Sequence, residues 1–328
     1  MSLENPIEIV LIEVKKMKIN KIIKEDLKIN VHHVGGIGGC GPTDQFKLLG
    51  KHTLWTFYDA DKTSLLEFDI KGKDYRLIHR AIGNKDGTSE FNLTENASAS
   101  SLLKPAKSAK EYVIPNTTRT WGEDTQIVQT EKTTINKLDT LKQKGEIEQI
   151  DFLSVDAQGS DLDVIKGANN QIKDILGVIC EVEFSQLYEN QPLFFEVHKH
   201  MHDKNFRICR LYNQQHYGSK YYYETFQGHG FLVVGESLFL KNQNICNNLK
   251  DLPIDERTKQ VIKGLKLAVI AFCFNQPDFA IQLLNKIEEQ GISIKEIGEQ
   301  CKNSYIRPMV RSMEISKTFT EVVNYKNK

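Results

Sequence analysis

Apolar positions along the chain alternate between two patterns. Runs rich in β-branched and aromatic residues predict strands at Ile29–Val34, His52–Tyr58, Tyr75–Ile82, Ile150–Asp156, Leu176–Phe184 and Phe206–Leu211. Helical starts or spacing follow at Ile135–Leu141, Asp161–Lys166 and Val197–Asn205. Asn84-Lys-Asp-Gly87 is a turn signal, with Glu90–Thr94 pairing back as a hairpin strand and Thr125–Ile135 extended. Asn96–Ser101 is small and polar and reads as a flexible loop able to close over a site. A loop rich in Tyr, His and Gln follows Leu211, and Gly230–Leu240 reads as two short strands around a glycine turn. Alternating β and α ending in β-only pairing predicts an α/β fold, a mostly parallel sheet with an antiparallel edge.

The two ends of the chain look different. Residues 1–27 alternate Ile, Leu and Val with Lys and Glu and read as a helical or strand flange, a packing element or a contact between copies in a homo-oligomer. From about residue 250 the spacing turns helical: Asp255–Phe274, a restart at Pro277 and Asp278 through Ile287, a break at Gly291, and further runs over 295–323. The expected organisation is a flange over 1–27, a main domain over 28–245 and a helical appendage over 250–328.

The first strand ends in five glycines, Gly35, Gly36, Gly38, Gly39 and Gly41, before Thr43 and Asp44 start a helix-compatible stretch. Glycine lets the backbone come close to a ligand, and the N–H groups of the turn and following helix face what lies above it. Asp59 closes the second strand about 20 residues further on, where an acid accepts hydrogen bonds from ribose hydroxyls; the plainer reading is a helix cap. Asp156 ends a later apolar strand, and Glu181 and Glu183, two apart, share one face of the next.

Composition narrows the class. Lys plus Arg and Asp plus Glu are both 43 in 328 residues, so no overall charge draws the chain to nucleic acid, and none is expected as a partner. The longest apolar run, Leu265–Phe274, is too short for a bilayer, so no membrane association is expected. The six cysteines have no CxxC spacing, which fits buried thiols of a cytoplasmic protein. His198 and His202 share a helix face, but no Glu completes a metalloprotease motif, and no metal is predicted.

With these residues laid out, the chain resembles the FkbM family of S-adenosylmethionine (SAM) dependent methyltransferases. The most specific match is Ile150-Asp-Phe-Leu-Ser-Val-Asp-Ala-Gln-Gly-Ser-Asp-Leu-Asp-Val-Ile-Lys-Gly-Ala168. Others are Glu181-Val-Glu-Phe-Ser-Gln-Leu-Tyr-Glu-Asn-Gln-Pro-Leu-Phe194, Ala81-Ile-Gly with Asp86-Gly87 and Ser100-Ser-Leu102, and Ser237-Leu-Phe-Leu-Lys241, in family order over about 28–242. The resemblance implies a class I methyltransferase (Rossmann-like) fold: seven strands, mostly parallel with the last antiparallel, helices on both faces, and SAM across the carboxyl ends of the first strands. It implies that Gly35, Gly36, Gly38 and Gly39 lie under the methionine part and that Asp59 holds the ribose. Ala81 and Ile82 would border the adenine, with Asp156 and Gln158 facing cofactor and substrate. One departure stands out: His33 occupies the position where the family usually has an acid that orients the methionine ammonium.

Methyl transfer to a hydroxyl needs positioning and a base within hydrogen-bond reach. Asp156 is the first candidate, then Glu181 and Glu183, with His229 in Gly228-His-Gly230 as a further base or acceptor contact. The expected reaction is O-methylation of a sugar, glycan or small natural product. A non-catalytic scaffold with the same fold and a nicotinamide-binding oxidoreductase are the alternatives; the latter leaves the Asp156-Ala-Gln-Gly motif unexplained.

Overall fold

The computed structural model describes residues 28–35, 44–46, 49, 52–61, 75–115, 117–219 and 230–292. The expectations for residues 1–27, Gly36, Gly38, Gly39, His229 and the helical runs over 295–323 lie outside the described residues.

The first strands are β1 (Ile29–Val34), β2 (Thr53–Asp59), β3 (Tyr75–His79), β4 (Ala81–Ile82), β5 (Gly87–Thr94) and β6 (Tyr112–Val113). Later come β7 (Ile127–Asn136), β8 (Phe152–Val155), β9 (Gly177–Glu183), β10 (Phe206–Ser219) and β11 (Phe231–Lys241). Eight of them form one sheet in the order β3-β2-β1-β8-β9-β11-β10-β6, and β4-β7-β5 form a second. β1, β8 and β9 run parallel, as do β2 and β3, while β11 is antiparallel to β9. The result is a mixed α/β fold built on a large, mostly parallel sheet.

β8 is buried along its whole length, as expected for an apolar strand covered on both faces. β1 carries two histidines into this interior, and both rings find partners. His32 Nδ1 lies 2.7 Å from the Tyr58 hydroxyl, and His33 Nδ1 lies 2.9 Å from Ser154 Oγ, its neighbour across the β1–β8 ladder. Burial pushes the His32 pKa down to about 3, so the ring is neutral, which is how a polar side chain is tolerated at this depth.

Helices α1 (Trp121–Asp124), α2 (Leu138–Gln143), α3 (Asp161–Gly167) and α4 (Phe194–Asp203) belong to the same part of the chain. Leu138, Leu162, Ile165, Val197 and Met201 from these helices join Val34, Leu153, Val178 and Phe239 in the principal core.

The structure departs from the sequence pattern in four places. The run Tyr75–Ile82 breaks at Arg80, whose N–H turns back onto the Ile78 carbonyl (3.0 Å); β3 stays in the large sheet, and β4 pairs with β7 in the small one. Gly230–Leu240 is one strand, not two. Gly235 sits in register with Val182, and a Cβ on it would lie 3.2 Å from the Tyr212 carbonyl, so the glycine admits a neighbouring strand rather than a turn. β10 continues to Ser219, through the first part of the Tyr- and Gln-rich segment expected as a loop. Among the described residues the large sheet has eight strands rather than seven, because Tyr112 and Val113 add β6 to the far end of β10.

The described residues divide into two compact units. Those within 30–44 and 53–240 form the first, and those within 28–29, 45–52 and 241–292 form the second. Its described helices are α5 (Ile254–Cys273) and α6 (Pro277–Glu289). They close around Gly264, where a Cβ would meet Cys246 Sγ at 2.8 Å and Ile287 Cδ1 at 3.0 Å. The Phe46 ring meets the edge of Phe274 (5.6 Å) within this unit. Among the described residues no helix is long and apolar enough to cross a membrane.

Candidate functional site

Parallel strands carry their carboxyl ends to one edge of a sheet, and ligands bind in the crevice outside that edge. Here β1 and β8 end side by side. The Asp156 N–H donates to the Val34 carbonyl (2.9 Å), and the Gly35 N–H donates to the Tyr58 carbonyl (2.9 Å). Gly35 has φ +82, and a Cβ on it would lie 1.9 Å from the Asp156 carbonyl oxygen. Only glycine fits, for torsional and steric reasons together.

A cavity of about 570 Å³ opens above these ends. Gly35, Asp59, Ala81 and Ile82 contribute to its wall, as do Asp156, Gln158 and Glu181. Residues singled out from five separated segments of sequence thus meet in one place. Asp59 takes a double position: one carboxylate oxygen accepts the Asp61 N–H (2.8 Å), so it caps the local turn while lining the cavity.

The acids are linked. Gln158 Nε2 donates to Asp156 Oδ1 (2.6 Å) and to Glu181 Oε2 (3.2 Å). Its Oε1 lies 3.0 Å from the Tyr188 hydroxyl, and its carbonyl accepts from Ser101 Oγ (2.7 Å). Gln158 holds a left-handed backbone (φ +47), rare outside glycine and common where a loop is over-determined by its contacts. Burial, then the neighbouring Asp156, push the Glu181 carboxyl well above the usual range. Asp161, 2% exposed in the first turn of α3, is pushed up to about 8 by burial and by Asp156. Glu183 is 2% exposed, lies off the cavity wall, and is pushed well up by burial and by Asp161. Arg80 is the one Lys or Arg among the described wall residues, and its guanidinium faces Glu146 Oε2 at 2.7 Å. The wall therefore suits a cation or a neutral ligand better than an anion.

The opposite wall was not read from sequence as part of a site, apart from the loop over Asn96–Ser101. That loop is a pinned 3-10 turn over Ala97–Ala99: Asn96 Oδ1 accepts from Ser98 Oγ (2.8 Å), and Asn96 Nδ2 donates to Asp124 Oδ2 (3.0 Å). Tyr188 ties it down further through the Ala99 carbonyl (2.9 Å). Trp121 and Tyr217 supply an aromatic surface, Trp121 Nε1 donating to the Leu187 carbonyl (3.1 Å) and its ring meeting the Tyr188 edge at 5.6 Å. The legible signal was Thr120-Trp-Gly-Glu123, a capping box in which Thr120 Oγ1 and the Glu123 side chain cap α1 reciprocally.

His33 faces Ser154 inside the sheet and is not part of the wall. His198 packs its ring against Phe194 (5.7 Å) and Phe239 (6.4 Å), which accounts for one of the helix histidines as packing.

Chemically the cavity combines a glycine strand end, an acid closing the second strand, a hydrogen-bonded carboxylate pair and an aromatic wall. Among curated proteins none matches the chain. Residues 51–208, which contain all of this wall except the β1 end and the β10–β11 residues, match the model of the methyltransferase FkbM domain.

Proposed function

We propose that the protein is a SAM-dependent methyltransferase of class I architecture that methylates a hydroxyl on a sugar, glycan or small natural product. The observation that carries this reading is the convergence of Gly35, Asp59, Ala81, Ile82, Asp156 and Gln158 on one cavity at the carboxyl edge of the sheet. The sheet supports it: β1, β8 and β9 run parallel and the last strand, β11, lies antiparallel to β9, as the resemblance implies for a methyltransferase sheet.

The residues fit the cofactor. Gly35 leaves room where a Cβ would strike the neighbouring strand. Asp59 offers a carboxylate for ribose hydroxyls, and Ala81 with Ile82, both buried, offer apolar surface for a purine. The acids around Asp156 suit a sulfonium and an ammonium, and the volume lies in the range of cofactor sites. When bound, SAM supplies an activated methyl on a cationic sulfur.

The chain's own groups do the rest. Asp156 is the proposed general base, since it ends β8 at the cavity wall, while burial disfavours ionisation of Glu181 and Glu183 is enclosed away from the wall. Gln158 bridges the two wall acids and keeps them aimed. Trp121 and Tyr217 offer a flat apolar face to the body of the acceptor, and Arg80, the one Lys or Arg among the described wall residues, is paired with Glu146. The decisive experiment is calorimetric titration with SAM, then methyl transfer from labelled SAM to a panel of hydroxylated acceptors. No heat of SAM binding would refute the reading; binding without transfer to any acceptor would favour the non-catalytic scaffold.

A further inference from the structure

We propose that Tyr188 is a positioning residue of this site: its hydroxyl fixes the Gln158 amide so that both amide hydrogens face the Asp156 and Glu181 carboxylates. Its catalytic meaning rests on the proposed cofactor and base; the geometry stands on its own.

An amide has one acceptor end and one donor end of nearly the same shape, and only its neighbours decide which way it points. At Gln158 two carboxylate oxygens, at 2.6 and 3.2 Å, require the NH₂ end. A flipped amide would set its oxygen against both acids. The group that selects the correct orientation from the other side is the Tyr188 hydroxyl, 3.0 Å from Oε1. That hydroxyl is itself anchored, 2.9 Å from the Ala99 carbonyl, so its one hydrogen is shared between two acceptors that both lie on cavity-wall residues. The ring is fixed as well: it is 1% exposed, it stacks edge-on to Trp121, and a Cβ at Gly159 would fall 2.8 Å from its Cδ2. Gly159, the residue after Gln158, is thus held small so that the tyrosine can reach the amide.

The cost is visible in the backbone. Gln158 holds φ +47, a conformation that a Gly or Asn adopts more readily, yet a long amide stands there. Only a side chain of that length spans from the loop to Asp156, Glu181 and Tyr188 at once. Sequence gave Tyr188 no role, because its partner lies 30 residues away and the contact exists only in the folded chain.

The electrostatics show what the bridge does. Glu181 is faced by Asp156, by Asp161 from α3, by Glu183 on its own strand and by Glu236 from β11; Tyr188 and Tyr217 lie close enough that Glu181 raises both phenols. None of these neighbours is cationic. The Gln158 NH₂ is then the donor that lets the Asp156–Glu181 pair carry charge beside the cavity. Without Tyr188 to hold the amide, the pair keeps a proton to higher pH.

The test is a titration of ¹³C-labelled carboxyl groups in the full chain, with the Asp156 and Glu181 signals assigned from Asp156→Asn and Glu181→Gln. Tyr188→Phe removes one oxygen from a packed ring, and Gln158→Gly removes the amide while permitting the left-handed backbone. The expected result in both is an upward shift of the pair's apparent titration by about one pH unit, a tenfold change in proton affinity. A lowered melting temperature with an unmoved titration assigns Tyr188 to packing alone and overturns the proposal. If Tyr188→Phe does not fold, an unmoved titration in Gln158→Gly overturns it equally. Calorimetry of the unaltered protein with SAM keeps the two ideas apart: a SAM-blind protein with shifted titrations refutes the cofactor, and a SAM-binding protein with unshifted ones refutes the positioning role.

Discussion

Gly35→Ala is the sharpest perturbation the structure offers. Two costs add. The first is torsional: φ +82 is left-handed backbone, which costs a residue with a Cβ roughly 1–2 kcal/mol. The second is steric. The new Cβ would start 1.9 Å from the Asp156 carbonyl oxygen and 2.8 Å from its carbon, both backbone atoms that no rotamer change can move. Reaching an ordinary contact requires the ends of β1 and β8 to separate by about 1.5 Å. That separation forfeits the bond from the Asp156 N–H to Val34, contributing about 1 kcal/mol net. The sum is roughly 2–3 kcal/mol, a large part of the ~5–15 kcal/mol that stabilises a typical protein. Gly145→Ala is the control. Gly145 also has positive φ (+69), after α2, but nothing lies within 4 Å of the added methyl, so only the torsional cost of about 1 kcal/mol remains. Urea unfolding of both variants measures the difference, and SAM calorimetry reports the site. Equal losses in the two variants would refute the claim that the strand ends are in hard contact at residue 35.

Three further outcomes follow from the site. Asp59→Ala should weaken SAM binding by roughly 1.5–3 kcal/mol, the worth of a charge-assisted pair, as read by calorimetry; unchanged affinity removes Asp59 from the ribose site. Asp156→Asn should keep the fold and lower kcat by about 10²–10⁴-fold, with the loss shrinking at high pH; a larger loss in Glu181→Gln would move the base to β9. Asp161 binds its proton more tightly folded (pKa about 8) than unfolded, so it removes stability as pH rises from about 4 to 8, at most about 1.4 kcal/mol per pH unit. Asp161→Asn should therefore melt progressively higher than the unaltered protein as pH is raised toward 8, and a pH-independent difference would show that Asp161 is ionised throughout.

The sequence by itself determined the strand cores, because a run such as Phe152–Val155, apolar at every position, can satisfy itself only inside a sheet. It also marked Gly35, Asp59, Asp156 and Glu181, since glycine after a strand and acids at strand ends are local features that chemistry constrains one at a time. Tertiary structure decided the rest. Gly235 reads as a turn from its neighbours, yet it lies within a strand because β10 approaches there, and no local pattern encodes that approach. Phe46 follows the glycine turn in sequence but packs on Phe274, more than 200 residues later, because an apolar ring is buried wherever a complementary surface exists. Glu181 and Glu183 look equivalent two residues apart, and only the packing around them brings one to the cavity wall and encloses the other. Trp121, Tyr188 and Tyr217 stand in three separate stretches, and nothing in any one of them points to the other two. Their place around the cavity comes from contacts between segments distant in the chain, which hydrophobic burial rewards without leaving a local trace.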